Sequence, residues 1–265
     1  MSPPSSLSPL LSSITIESGS GTVLAQHNAD LPRPPASLTK LMTAYVAYAM
    51  IAQGAHAWSD ATVIDARDVD DVAADETRMG LLPGQHVALG TLLEGLMIVS
   101  GNDAALALAR HLAGSQAAFV QRMNRTAVRM ELADTHFVSV SGITTPGHVS
   151  SARDMAQLAR HLIADHPQVL RITSQRHFSH GAFARDNQNA LLGEEGVDGL
   201  KTGYTQAAGF CLAATARRTP AGCSEPVRLI NITLGADTGE ARNAHVRRCL
   251  DAGFAACAGA APLLR

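Results

Sequence analysis

Pro35-Ala36-Ser37-Leu38-Thr39-Lys40-Leu41-Met42-Thr43 sets a serine and a lysine three residues apart at the start of a helical pattern. Pro34 and Pro35 can precede or open a helix but cannot sit inside one. Beyond them Leu38, Leu41, Met42, Tyr45, Val46, Ala49 and Met50 recur at helical spacing, an apolar face that predicts a buried helix running to about Gln53. At this spacing the side chains of Ser37 and Lys40 share one face. Serine is a poor nucleophile until a base takes its proton. Lysine can be that base when burial disfavours its ammonium form, and a helix N-terminus favours negative charge developing on the serine oxygen. Alone the pair is weak evidence, because a surface lysine one turn after an N-cap serine is ordinary.

The 265 residues are 46% hydrophobic and 17% charged, with a net charge of −2, enough for a large buried core. This balance gives no reason to expect nucleic acid, and no basic run suggests an anionic membrane surface. No stretch approaches the roughly 20 apolar residues of a membrane span. Low aromatic content and abundant alanine favour closely packed helices over an all-β sandwich. Cys211, Cys223, Cys249 and Cys257 fall in the last quarter, form no C-x-x-C pair and leave any disulfide pairing open. His177-x-x-His180 is the nearest approach to a ligand pair and reads as surface or loop histidines, so no metal is expected.

Residues 1–11 read as a Ser/Pro-rich, poorly ordered lead without the basic and apolar regions of a signal peptide. Either an export signal has been removed or the protein stays inside, and the sequence leaves both open. Ser12 to Glu17 and Thr22 to Ala25, joined by Gly19-Ser20-Gly21, predict a β-hairpin. Residues 59–90 are mixed and polar, with a turn at Pro83-Gly84. A helix from about Leu89 stops at Ser100-Gly101-Asn102; Asp103 is expected to cap the next, through Ala109, with Gly114 closing it. Further helices are expected over 115–132, on Phe119, Met123 and Val128, and over 150–164, with Ser151 and Asp154 as a capping box. Short strands are expected at Arg171-Ile172-Thr173 and His177-Phe178. Longer strands follow around Val197 to Gly203, Gly209 to Ala216 and Val227 to Leu234, then a helix over 239–258.

Three elements now stand in order: Ser37-x-x-Lys40 at a helix start, Ser100-Gly101-Asn102 between helices, and Lys201-Thr202-Gly203 on an expected edge strand. Together they resemble the motif set of β-lactamases and penicillin-binding proteins. The stretches Ile16 to Leu24, Arg33 to Thr43, Gly95 to Ala105, Ser150 to Ala156 and Gly196 to Thr205 extend the likeness. Over roughly residues 13–255 the chain resembles the low-molecular-weight penicillin-binding proteins, the D-alanyl-D-alanine carboxypeptidases.

The resemblance implies an α+β fold: an antiparallel sheet from the N-terminal hairpin and the last three strands, flanked by the terminal helices. An all-helical lobe over about 41–165 would be inserted within a single catalytic domain, 12–265. It implies a serine peptidase in which Ser37 attacks the D-alanyl-D-alanine carbonyl of a peptidoglycan stem peptide to give an acyl-enzyme. Lys40 would take its proton and Ser100 relay one towards the leaving amine. Asn102, Lys201, Thr202, Gly203 and Tyr204 would bind substrate. The backbone N–H groups of Ser37 and Tyr204 would form the oxyanion hole, and Arg242 would join Thr202 at the terminal carboxylate. No cofactor is implied, β-lactams are expected inhibitors, and the location is periplasmic or otherwise extracytoplasmic.

The chain departs from the family at Gln188, where many members carry arginine, and in lacking a signal peptide. It also ends at Arg265, so the small β-rich C-terminal domain and its amphipathic anchor, and with them stable membrane attachment, are not expected. Rival readings are an endopeptidase cutting D-alanyl cross-links, a class A-like β-lactamase and a non-catalytic peptidoglycan-binding module. The β-lactamase reading wants a deacylating glutamate in a Glu-x-x-Leu-Asn context, which Glu131-Leu132-Ala133-Asp134 does not match. A binding module would have no need of the base.

Overall fold

The computed structural model describes residues 11–259. The expected lead therefore lies almost wholly outside the described residues; its last member, Leu11, is buried rather than loose.

The chain opens with the hairpin β1 (Ser12–Glu17) and β2 (Val23–His27), followed by a short 3-10 turn, Ala36–Thr39, that runs directly into α1 (Lys40–Ala52). The polar stretch after it contains β3 (Ala61–Val63), α2 (Ala66–Asp70) and β4 (His86–Ala88). Then come α3 (Leu89–Ile98), α4 (Asn102–Ala113), α5 (Gln116–Arg129), α6 (Ala152–Asp165) and α7 (Val169–Thr173). The chain returns through β5 (His177–His180), β6 (Phe183–Asp186), β7 (Val197–Thr205), β8 (Gly209–Arg218), β9 (Val227–Ala236) and α8 (Gly239–Cys257).

The main sheet has the order β2-β1-β9-β8-β7 and is antiparallel throughout, so strands from the two ends of the chain pair directly, Ile14 opposite Ile232. Its two faces are both buried, which is why β8 and β9 read as nearly continuous apolar runs. Leu212, Ala214, Ala216 and Leu229 meet Val246, Leu250 and Phe254 of α8. Cys211, Ala213, Ile230, Ile232 and Leu234 face the helical lobe. The polar residues Asn231 and Thr233 within this sheet are satisfied: Asn231 Nδ2 donates to Thr15 Oγ1 at 2.9 Å and Thr233 Oγ1 donates to Asn231 Oδ1 at 2.8 Å. The architecture is the expected α+β one, with α8 on one face and α6 with the 3-10 turn on the other.

Local readings fare unevenly. The lobe is not all-helical: it also holds the β3–β4 ribbon, whose three-residue strands are too short to announce themselves, and the irregular stretches 71–85 and 130–151. Arg171-Ile172-Thr173 is helical, not a strand: Pro167 opens a tight turn, and Thr173 Oγ1 then donates to Asp198 O at 3.1 Å on β7. Asp103 is not the cap of α4, a place taken by Gly101. Its buried carboxylate instead accepts the N–H groups of Met79 and Leu81, at 2.9 and 3.2 Å. That helix also runs past Ala109 to Ala113 before the left-handed Gly114, φ 78°. Val128 is 78% exposed, and Ala127 packs inward in its place. Ser151 does cap α6, accepting from Asp154 N at 3.1 Å, but the Asp154 carboxylate turns away to Thr135 and Asp134 N.

Among the described residues no helix is long and apolar enough to cross a membrane. Cys211, Cys223, Cys249 and Cys257 are all free thiols.

Candidate active site

A cleft of about 890 Å³ opens where the sheet edge meets the lobe. The 3-10 turn contributes Ser37 to its lining, the lobe Ser100 and Asn102, and the strand β7 Thr202, Gly203 and Tyr204. The three sequence motifs thus converge on one concavity.

Ser37 lies in the 3-10 turn, one residue after Ala36, whose φ of 48° is in the left-handed region that a non-glycine residue avoids. Two close approaches maintain this turn. A Cβ on Gly142, itself at φ +89°, would stand 1.9 Å from the Ala36 carbonyl oxygen. A Cβ on Gly203 would stand 3.1 Å from Ser37 N, so the edge strand passes directly beside the serine backbone. Ser100, which lines the cleft, also has left-handed backbone, φ 65°, in the three-residue break between α3 and α4. Strained backbone of this kind concentrates at functional sites because the surrounding structure must hold it.

Lys40, the first residue of α1, is fully buried. Its Nζ makes three hydrogen bonds: to Ser37 Oγ at 3.0 Å, to Asn102 Oδ1 at 2.6 Å and to the Ser141 carbonyl at 2.8 Å. Burial holds its pKa well below the ordinary lysine value; the nearby Lys201 charge pushes the same way, while Glu76 and Asp103 oppose it. Once deprotonated, the amine keeps two N–H donors for Asn102 and Ser141 and turns its lone pair to the Ser37 hydroxyl. This geometry serves a base.

Lys201 is also buried and donates to the Thr202 carbonyl at 2.9 Å. Burial, assisted by the Arg242 charge, lowers its pKa to about 7. Thr202 Oγ1 donates to Gln188 Oε1 at 3.4 Å, so the residue standing where arginine is common lies in the cleft against the expected carboxylate site. Tyr204 is 56% exposed, its ring 4.4 Å from that of Phe210.

Arg242 is placed differently from the expectation. It sits inside α8, is buried, and is not among the described residues lining the cleft. Its guanidinium donates to Asn243 Oδ1 at 2.8 and 3.0 Å and to the Cys211 carbonyl at 3.4 Å. Its charge bears on Lys201, helping to lower that lysine's pKa.

Sequence reasoning missed the support around these groups. Glu76 lines the cleft and accepts a hydrogen bond from Asn102 Nδ2. The Ser141 carbonyl and Gly142 come from a loop organised by the buried His148. That histidine's Nδ1 accepts the N–H groups of Val138 and Ser139 at 3.0 and 3.2 Å, which leaves Nε2 to carry the proton to Thr39 Oγ1 at 2.8 Å. Burial lowers the His148 pKa to about 4, consistent with this neutral form. A main-chain acceptor, a turn glycine and a lone histidine leave no periodic signal in a sequence.

Residues 10–238 match the family described as D-alanyl-D-alanine carboxypeptidase. The D-alanyl-D-alanine carboxypeptidase DacA of Escherichia coli K12 is 39% identical over 246 residues, which cover 91% of this chain and 60% of that protein. This chain spans about three fifths of the length of the curated DacA relatives it matches. Penicillin binding protein 5 from Haemophilus influenzae superposes with a TM-score of 0.89 at 34% identity, covering 96% of this chain and 73% of that one. Penicillin-Binding Protein D2 from Listeria monocytogenes, solved in an ampicillin-bound form, gives 0.78 at 30% identity, covering 96% of this chain and 100% of that one. With its three motifs gathered on one cleft and these likenesses across nearly its whole length, the chain belongs to the D-alanyl-D-alanine carboxypeptidase family.

Proposed function

We propose that this chain is a serine D-alanyl-D-alanine carboxypeptidase that removes the terminal D-alanine from peptidoglycan stem peptides and is acylated by β-lactams. The observation that carries the reading is the buried Lys40 amine held 3.0 Å from the Ser37 hydroxyl. A solvated structural lysine would have no reason to accept that desolvation.

In this reading neutral Lys40 takes the Ser37 proton as Oγ bonds to the penultimate D-alanyl carbonyl carbon. The backbone N–H groups of Ser37 and Tyr204 face the developing oxyanion, an arrangement supported by the close passage of Gly203 along Ser37 N. The C–N bond then breaks, and a proton reaches the leaving D-alanine amine through Ser100. Water attacks the ester, and its proton returns by the same base. Asn102 holds the substrate amide, while Thr202 and Gln188 meet the terminal carboxylate over the positive potential of Lys201. Arg242 acts at a distance, through Lys201.

Sheet and lobe both wall the cleft, which supports treating them as one catalytic domain with the lobe inserted. A cell-wall substrate puts the working location outside the cytoplasm. The test is release of D-alanine from a stem pentapeptide, measured beside cleavage of a cross-linked muropeptide dimer. Faster release from the pentapeptide is expected; faster cleavage of the dimer would transfer the assignment to an endopeptidase.

A further inference from the structure

Glu76 has no place in the three motifs, yet it is built into them. It lines the cleft, and its Oε2 accepts a hydrogen bond from Asn102 Nδ2. Its own loop is tied down on both sides. Glu76 N donates to Ala73 O at 3.0 Å, Ala73 N donates back to Glu76 Oε1 at 3.4 Å, and Asn102 N donates to Thr77 O at 2.8 Å.

These contacts decide which way the Asn102 amide points. Its Oδ1 accepts from Lys40 Nζ at 2.6 Å, and its Nδ2 faces the carboxylate. The flipped amide would set its NH2 against the N–H donors of the Lys40 amine and its carbonyl against a carboxylate, two repulsions in place of two hydrogen bonds. One Nδ2 proton remains free to meet a substrate carbonyl.

Charge points the same way. The groups facing Lys40 are Lys201 from β7, Asp103 from α4 and Glu76 from the loop before β4. Asp103 is already engaged by the N–H groups of Met79, Leu81 and Ala104. Around Glu76, Asp75 also lines the cleft, while the Arg78 guanidinium turns away to the Val72 carbonyl. Glu76 is therefore the carboxylate that reaches both the cleft and the Lys40–Asn102 pair.

We propose that Glu76 is a positioning residue for acylation: its carboxylate locks the Asn102 amide and, through it, holds the Lys40 amine against Ser37 while offsetting the Lys201 charge. The inference rests on the proposed function, since it concerns the base that activates Ser37.

The test is the pH profile of single-turnover acylation by a fluorescent penicillin, for wild type, Glu76→Gln and Glu76→Ala, each checked by thermal melting. Glutamine keeps an acceptor for Asn102 but loses the charge. Because that charge raises the Lys40 pKa, Glu76→Gln moves the acid limb to lower pH, by about half a unit or more. Glu76→Ala moves the limb likewise and also lowers the plateau rate roughly tenfold through the released amide. A Glu76→Gln limb superimposed on wild type, or moved to higher pH, overturns the proposal. So does a Glu76→Ala plateau equal to that of Glu76→Gln. A wild type that is never acylated defeats the proposed function itself, a result separable from either of these.

Discussion

Lys40 Nζ stands 3.0 Å from Ser37 Oγ, with the lysine fully buried and its remaining donors directed to Asn102 and Ser141. A lysine so placed is easier to deprotonate than one in water, and acylation should report it. The rate of acylation by benzylpenicillin is expected to rise with pH through an apparent pKa well below the ordinary 10.5 of lysine. Lys40→Met should slow acylation by about a hundredfold or more. The positive charge of Lys201 pushes the Lys40 pKa down, so Lys201→Met should carry the acid limb to higher pH. Stopped-flow acylation across the pH range checks both, and a limb that moves down in Lys201→Met contradicts the electrostatics.

Lys201 makes a second, independent prediction about stability. Its folded pKa is lowered to about 7 from 10.5, so between those values the folded chain binds fewer protons than the unfolded one. Stability then rises with pH across that window, and the cost of burying the charge is fully present below it. Thermal melting at pH 7 and again near pH 10 should show a larger gain, or a smaller loss, for wild type than for Lys201→Met. Parallel pH dependence in the two proteins would mean that Lys201 does not titrate there.

Gly142 holds the turn that presents Ser37. An added methyl meets the Ala36 carbonyl at 1.9 Å from a backbone at φ +89°, so neither the space nor the conformation suits alanine. Gly142→Ala should lose about 2 kcal/mol or more in denaturant unfolding, and acylation should fall with it. Gly181→Ala, also at positive φ but with nothing within 4 Å of the new Cβ, should lose less and leave acylation intact.

How much of this was legible in the sequence follows from the physics of each part. Ser37 and Lys40, Ser100 and Asn102, and Lys201 to Tyr204 are local groups on elements with clear periodicity, so their positions could be read and their convergence inferred. That the N-terminal hairpin shares one sheet with the last three strands was implied by the resemblance, whereas the direct pairing of β1 with β9 is set by long-range packing. Glu76, the Ser141 carbonyl and the Nε2–H of His148 act across 26 to 109 residues, in loops whose conformation is set by packing. Val128 and Thr173 show the same limit: a helical face or a β-branched pair names an element only until tertiary contacts override it. Arg242 was assigned by resemblance alone, and the helix it occupies turns it towards Asn243 and Cys211.

Gln188 gives a test of substrate recognition. It is neutral, lies in the cleft and accepts from Thr202, where a cation would pair with a carboxylate directly. Gln188→Arg should lower KM for a pentapeptide with a free terminal carboxylate, by about tenfold, and leave KM for its amidated counterpart almost unchanged. An equal effect on both peptides would show that the carboxylate does not bind there.

The central claim is a covalent intermediate on Ser37, and intact-protein mass after incubation with benzylpenicillin tests it most directly. Wild type should gain the mass of one intact drug molecule, while Ser37→Ala, with the same fold, should gain nothing. An adduct that persists in Ser37→Ala, or a wild type that neither gains mass nor consumes the drug, would contradict the account.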